Sequence, residues 1–137
     1  MRHKRIVANG IDFAYLEEGE GPLALLLHGF PEAPSMYRHL TPVLAEAGYR
    51  AVAPALRGFA PTQIPPDGSM RITDLIADAN CLHEELGGDT NAVIVGHDWG
   101  GFATWGSDGT LLEGVGHFPF LEKPDEVNQR ILRFLAA

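Results

Sequence analysis

The group best placed to do chemistry in this sequence is the carboxylate of Asp98, in the turn Gly96-His97-Asp98-Trp99-Gly100-Gly101 that follows the apolar run Ala92 to Val95. A Gly-x-Asp-x-Gly-Gly turn after a buried strand has the form of a nucleophile elbow, a sharp strand-to-helix turn that pushes its middle side chain into the cleft above a sheet. Small residues are expected at Gly96, Gly100 and Gly101, because side chains there would collide with the adjacent strand and helix. The N–H groups after Asp98 would lie at a helix N-terminus, where negative charge is stabilised. A carboxylate so placed can attack an electrophilic sp³ carbon and form an ester. It cannot readily replace serine in ordinary ester hydrolysis. Asp is also a favoured helix cap, so residue type alone leaves cap and nucleophile both open.

A second unusual turn, His28-Gly29-Phe30-Pro31, follows the apolar run Leu23 to Leu27. A third segment, Gly114-Val115-Gly116-His117-Phe118-Pro119, brings a histidine after a further apolar run. A lone histidine is more often a surface or satisfied core residue than a catalyst, so spacing alone gives His117 no role. Cys81 falls at helical spacing in an amphipathic segment and reads as packing. His83-Glu84-Glu85 lacks metal-ligand spacing, and no other cluster suggests a metal or another cofactor.

The elements that must position these turns are readable from periodicity. Arg5 to Ala8 and Ile11 to Glu17 flank Asn9-Gly10 and read as a β-hairpin, since that turn needs positive φ at both central positions. Leu23 to Leu27 is a continuous apolar run, the mark of a strand covered on both faces. Pro34 to Ala47 reads as a helix through Met36, Leu40, Val43, Leu44 and Ala47, with Thr41-Pro42 offering an N-cap and a first helical residue. Tyr49 to Ala53 is the next strand, followed by a loop rich in Pro and Gly from Pro54 to Gly68. Ile72 to Leu86 reads as an amphipathic helix with Thr73 as its cap and Ile72, Leu75, Ile76, Ala79, Leu82 and Leu86 on its apolar side. Strands alternating with helices over short links predict a mostly parallel, doubly wound α/β sheet with right-handed crossovers. In such sheets ligands bind at the carboxyl ends of the strands, so the turns at 28–31 and 96–101 should share one edge.

Bulk properties set outer limits. The 137 residues suffice for one domain spanning 1–137 with a single core. Hydrophobic residues make up 45% and charged residues 20%, ordinary for a globular protein. A net charge of −8, with the acids dispersed, disfavours nucleic acid as a partner. The basic cluster Arg2-His3-Lys4-Arg5 is followed by too short an apolar run for a signal peptide, and no stretch is long enough to cross a bilayer. The lone Cys81 excludes an intramolecular disulfide and fits a reducing cytoplasm.

Taken in order, the blocks His28-Gly29-Phe30-Pro31-Glu32, Arg57-Gly58-Phe59-Ala60-Pro61-Thr62 and Gly96-His97-Asp98-Trp99-Gly100-Gly101 resemble the signature blocks of the α/β-hydrolase superfamily. The Asp and the Phe-Pro pair resemble its epoxide-hydrolase branch, and Gly114 to Pro124 is similar to the segment that carries that family's catalytic histidine. The resemblance covers about Ile6 to Trp105 and about Leu112 to Leu135. It implies a small-molecule substrate, Asp98 as nucleophile and His117 as the base that activates water against the alkyl-enzyme ester. It further implies an oxyanion hole from the backbone N–H groups of Phe30 and Trp99, a cis Phe30–Pro31 bond, structural roles for His28 and His97 beside the site, and a loop-holding role for Arg57. Trp99 reads as core or cleft wall. A related dehalogenase branch uses this Trp to hold halide, but it usually has Asn where this chain has Phe30.

The sequence also departs from that family, which is considerably longer. After the elbow helix the family normally carries a helical cap domain and then strands that lead to the triad's acid. Here Trp105 passes almost directly to Leu111, so the expected architecture is a truncated α/β-hydrolase core with no cap, and Tyr15, Tyr37 and Tyr49 match no cap motif. Asp108 superficially resembles the acid, but if Leu111 to Val115 is a parallel strand leading to His117, that strand spans about 17 Å and leaves Asp108 at the far end. Asp98 and His117 are 117 − 98 = 19 steps apart, close to the shortest parallel crossover. The expectation is an epoxide-hydrolase-like enzyme with impaired turnover. The alternatives are a haloalkane dehalogenase and an inactive scaffold that self-associates through its exposed sheet edge.

Overall fold

The computed structural model describes residues 1–104 and 116–136. The hairpin forms as expected: β1 (Arg2–Ala8) and β2 (Ile11–Glu18) pair antiparallel with Ala8 opposite Ile11. The two-residue loop has φ 47° at Asn9 and 72° at Gly10, the left-handed pair that a tight hairpin of this twist requires. β3 (Leu23–Leu27) is buried at every residue. A 3-10 helix (Pro34–His39) runs into α1 (Thr41–Glu46), and β4 (Arg50–Pro54) follows. Then come α2 (Ile72–Glu85), β5 (Val93–Gly96) and α3 (Trp99–Ala103). The carboxyl-terminal segment holds α4 (Pro119–Glu122) and α5 (Pro124–Leu135).

The strand order is β1-β2-β4-β3-β5. β4, β3 and β5 are parallel, and the hairpin joins antiparallel to β4. The sheet is therefore mixed, and its parallel portion is the part that bears the candidate site. Alternate residues of β3 feed two cores. Leu23, Leu25 and Leu27 pack with Leu75, Ala79 and Leu82 of α2, while Ala24 and Leu26 pack with Met36, Tyr37, Leu40 and Leu44 and with Phe120 and Val127 of the carboxyl-terminal helices. Helices on both faces explain why β3 had to be apolar throughout.

Three local expectations are corrected. Pro34 to Ala47 is two elements, and Thr41 is not a cap: Leu40 is already in the right-handed helical region, so no free N-terminus exists there, and the Thr41 hydroxyl donates back to the Tyr37 carbonyl at 2.8 Å. Thr73 does not cap α2 either. Arg71 is the cap residue, and Asp74 accepts from the Arg71 backbone N–H at 3.0 Å and from its guanidinium. Ile72 and Ile76 lie outside the buried stripe of α2, which is made of Leu75, Asp78, Ala79 and Leu82 with Leu86 beyond. Asp78 takes its place there because Arg57, itself buried, reaches it. The expected strand Leu111 to Val115 and the position of Asp108 lie outside the described residues, and only residues 105–115 separate the two described stretches.

Candidate active site

β3 and β5 run parallel with Leu27 opposite Gly96, so the turns that follow them meet at one sheet edge. The His97 N–H donates to the Leu27 carbonyl at 3.0 Å, and the Gly100 N–H to the His28 carbonyl at 3.1 Å. This close approach depends on missing side chains. A Cβ on Gly100 would lie 2.0 Å from the Leu27 carbonyl oxygen, one on Gly96 2.4 Å from the Gly100 carbonyl oxygen, and one on Gly29 2.3 Å from the Asp98 Cβ. Gly101 is different, since its nearest neighbour would be 3.9 Å away. The steric expectation thus holds for Gly96 and Gly100 and fails for Gly101. Gly29 belongs with the required ones.

Asp98 itself has φ 53° and ψ −116°, a conformation that a non-glycine residue adopts only when its surroundings enforce it. Its Oδ1 accepts from the Phe30 N–H at 2.8 Å. Its Oδ2 faces His117 Nε2 at 3.6 Å. Asp98 precedes α3 without a side-chain cap hydrogen bond; its carboxylate is turned instead to the Phe30 N–H and toward His117. Burial by itself opposes the charge on Asp98. The N–H groups of Phe30 and Trp99 and the positive potential of His117 and His97 outweigh it, leaving the carboxyl below its ordinary range.

The other sequence-expected residues fall around this pair. His28 is fully buried; its Nδ1–H donates to the Gly29 carbonyl at 2.9 Å and its Nε2 accepts from the Leu56 N–H at 3.0 Å. Burial lowers its pKa, against the Gly29 bond and with help from His97, so His28 is a neutral strut between the first turn and the strand-4 loop. His97 donates from Nε2 to the His117 carbonyl and stacks at a tilt on the His117 ring, centroids 4.8 Å apart. Its Nδ1 is buried with no partner among the described residues. The Phe30–Pro31 bond is cis, as is Ala60–Pro61. Phe30 is largely exposed and meets Phe59 edge-on. Trp99 is half-buried at the start of α3.

Arg57 holds loops, as expected from its place in the second block. Its guanidinium donates to both oxygens of Asp78 at 2.5 and 2.7 Å and to the Ser69 carbonyl, while Asn9 donates to the same carboxylate. Sequence reading missed Asp78, which stands at helical spacing inside an otherwise apolar stripe. It also missed Glu122, whose carboxylate accepts from the Gly116 N–H at 2.7 Å and the Phe118 N–H at 3.0 Å, on either side of His117. Its signal was faint: an acid at the end of a four-residue helix just after a candidate histidine.

Among the described residues no group of three or more His, Cys, Asp or Glu side chains is placed to hold a metal ion. A groove of about 400 Å³ lies elsewhere, between β1 and β2 and the loops at Pro34 and Pro61, and neither Asp98 nor His117 lines it.

Comparison with known proteins bears on the fold and the family. The profile of the alpha/beta hydrolase fold matches residues 22–105. Epoxide hydrolase 2 of Siraitia grosvenorii is 42% identical over 106 residues, which cover 77% of this chain and 33% of that protein. Epoxide hydrolase A of Mycobacterium tuberculosis is 40% identical over 100 residues, covering 71% and 31%. The crystal structure of an epoxide hydrolase from Vigna radiata superposes with a TM-score of 0.71 at 42% identity, covering 76% of this chain and 34% of that one. The chain spans about a third of the length of these relatives. This protein belongs to the α/β-hydrolase fold family and is epoxide-hydrolase-like within it.

Proposed function

We propose that Asp98 attacks a ring carbon of an epoxide, breaking that carbon's bond to the ring oxygen, to give an alkyl-enzyme ester whose released alkoxide takes its proton from solvent; water activated by His117 then hydrolyses the ester, giving the diol and freeing the Asp98 carboxylate. The observation that carries this reading is the unequal treatment of the two Asp98 oxygens. Oδ1 sits on the Phe30 N–H, and Oδ2 is turned toward His117. Oδ2 is the attacking atom. Oδ1 becomes the ester carbonyl oxygen and already lies where the N–H groups of Phe30 and Trp99 can stabilise the oxyanion of the second step. The 3.6 Å between Oδ2 and Nε2 is too long for a strong hydrogen bond, so the carboxylate stays free to attack.

Turnover is impaired in this proposal. Among the described residues the carboxylate paired with the His117 ring is Asp98 itself, and the ester removes its charge. In triads, loss of the group that orients the histidine severely slows turnover. The substrate is a small epoxide. Phe30, standing where dehalogenases usually carry Asn, disfavours the haloalkane alternative. The compartment is a reducing cytoplasm, consistent with the free thiol of Cys81; among the described residues no helix is long and apolar enough to cross a membrane.

The test is intact-protein mass spectrometry after incubation with a small aryl epoxide, with Asp98→Asn as control. A mass gain of one substrate, absent from the control, supports the reading. No adduct and no diol would sink it and leave a scaffold of hydrolase form without this chemistry.

A further inference from the structure

We infer that Glu122 is the positioning residue for His117, holding the loop that presents the imidazole to Asp98; this rests on the reading of His117 as the base. The structural route is continuous. The carbonyl at the end of β3, Leu27, accepts from the buried Tyr37 hydroxyl at 2.7 Å. Phe120 of α4 packs edge-on against the Tyr37 ring, centroids 4.9 Å apart, and is itself buried. α5 is tied to the same face where Asn128 donates to the His39 carbonyl at 3.0 Å. α4 is therefore fixed relative to the strand that carries the Phe30 turn.

From this fixed helix Glu122 reaches back with both oxygens, Oε2 to the Gly116 N–H and Oε1 to the Phe118 N–H. These are the two amides flanking His117. The loop's other ties among the described residues are looser: Gly116 and His117 are exposed, and the His97 ring meets the His117 carbonyl and ring face and lies 6.3 Å from the Phe118 ring. The two N–H groups hold the Glu122 carboxyl below its ordinary range against a small desolvation cost, and the His117 charge adds to them. A charged acceptor on two amides fixes a peptide segment more tightly than a neutral one. The fit is also close, because a Cβ on Gly116 would lie 2.9 Å from Oε1. Glu122 never touches the reacting atoms in this arrangement; it acts through the loop.

The experiment has two readouts on the full chain. In wild-type protein followed by NMR, the Gly116 and Phe118 amide resonances should titrate together with the Glu122 side-chain carboxyl, at a pH below the ordinary glutamate range. This measurement needs no variant to fold. With the aryl epoxide, Glu122→Gln keeps the side chain's shape but replaces one acceptor oxygen by a donor. It should lengthen the life of the Asp98 adduct roughly tenfold to a hundredfold, the scale expected of a small misplacement of a catalytic group, while adduct formation keeps its rate. A Glu122→Gln adduct that decays at the wild-type rate overturns the inference and leaves the Asp98 reading intact. If wild-type protein forms no adduct, that reading fails instead, and the titration alone decides: amides indifferent to Glu122 overturn the clamp, and amides that follow it sustain it.

Discussion

Asp98 and His117 face each other through Oδ2 and Nε2 at 3.6 Å, across the edge where two parallel strands end. The Asp98 oxygen that His117 does not face is held by the Phe30 N–H at 2.8 Å. In the proposed reaction this division would separate two chemical steps, which experiment can tell apart.

Replacing His117 by Gln should leave alkylation of Asp98 intact and stop hydrolysis, so the adduct accumulates to one equivalent. The pH dependence of alkylation follows from Asp98. Burial opposes the charge on its carboxyl, but the Phe30 and Trp99 N–H groups together with His117 and His97 outweigh burial and depress it, so the reactive anion persists as pH falls through the ordinary aspartate range, about 4. Alkylation is lost only as pH falls through the lower folded value. The sign is the same for stability: a depressed carboxylate contributes above its unfolded pKa and ceases to contribute below its folded one. Adduct yield against pH by mass spectrometry, with circular dichroism to mark acid unfolding, checks both. A loss of alkylation above the ordinary range would contradict the assignment.

The two adjacent glycines at the start of α3 should respond in opposite ways. Gly100→Ala places a methyl 2.0 Å from the Leu27 carbonyl oxygen. Backbone must move, at a cost of about 1–3 kcal/mol or more, and the β3–β5 approach that aligns Phe30 with Asp98 opens. Gly101→Ala meets nothing closer than 3.9 Å and should stabilise the helix by about 0.5–1 kcal/mol. Urea unfolding of the two variants measures this directly.

The contrast between those glycines shows where sequence reading succeeds and where it stops. The Asn9-Gly10 hairpin, the buried run of β3 and the meeting of the turns at 28–31 and 96–101 follow from local rules: turn stereochemistry, period, and the handedness of parallel connections. Whether a given glycine is required depends on which backbone passes over it, and no local rule supplies that. Gly96 and Gly100 lie under other chain segments and Gly101 does not. Thr41 and Thr73 misled for a related reason, since a cap is needed only where the preceding chain leaves the first N–H groups unpaired. At Thr41 the preceding 3-10 helix has already occupied that position. The candidate site was readable at Asp98 because a carboxylate in an elbow-like turn is unusual, while His117 and Phe30 stood out only through the resemblance of their blocks to the epoxide-hydrolase branch. Glu122 and Asp78 are ordinary acids made important by amides and a guanidinium that come from elsewhere in the chain.

Arg57 and Asp78 should behave as one unit. Their side chains are only 6% and 3% exposed, so removing either leaves the other charged and buried. Arg57→Ala or Asp78→Ala alone should cost about 3–5 kcal/mol. The double variant should cost clearly less than the sum, because it leaves neither charge stranded. A double-mutant cycle by chemical denaturation gives the coupling; strict additivity would show that the pair contributes nothing as a pair.

Self-association should arise from the side of the sheet bearing β5. Among the described residues β5 pairs only with β3. Ile94 is 39% exposed and Phe102, on the following helix, 41% exposed. An apolar face beside a strand edge is the surface that a second copy of the chain can cover. Gel filtration should therefore show an apparent mass that rises with concentration. Ile94→Lys, which adds a charge on that strand without touching Asp98 or His117, should shift the distribution toward monomer while leaving adduct formation by the monomer unchanged. A size independent of concentration in the wild-type chain would remove self-association from the account. If Ile94→Lys lowered association and alkylation together, the partner copy would be needed to hold the Asp98 turn in its strained conformation, and the site would have to be studied as a property of the assembly.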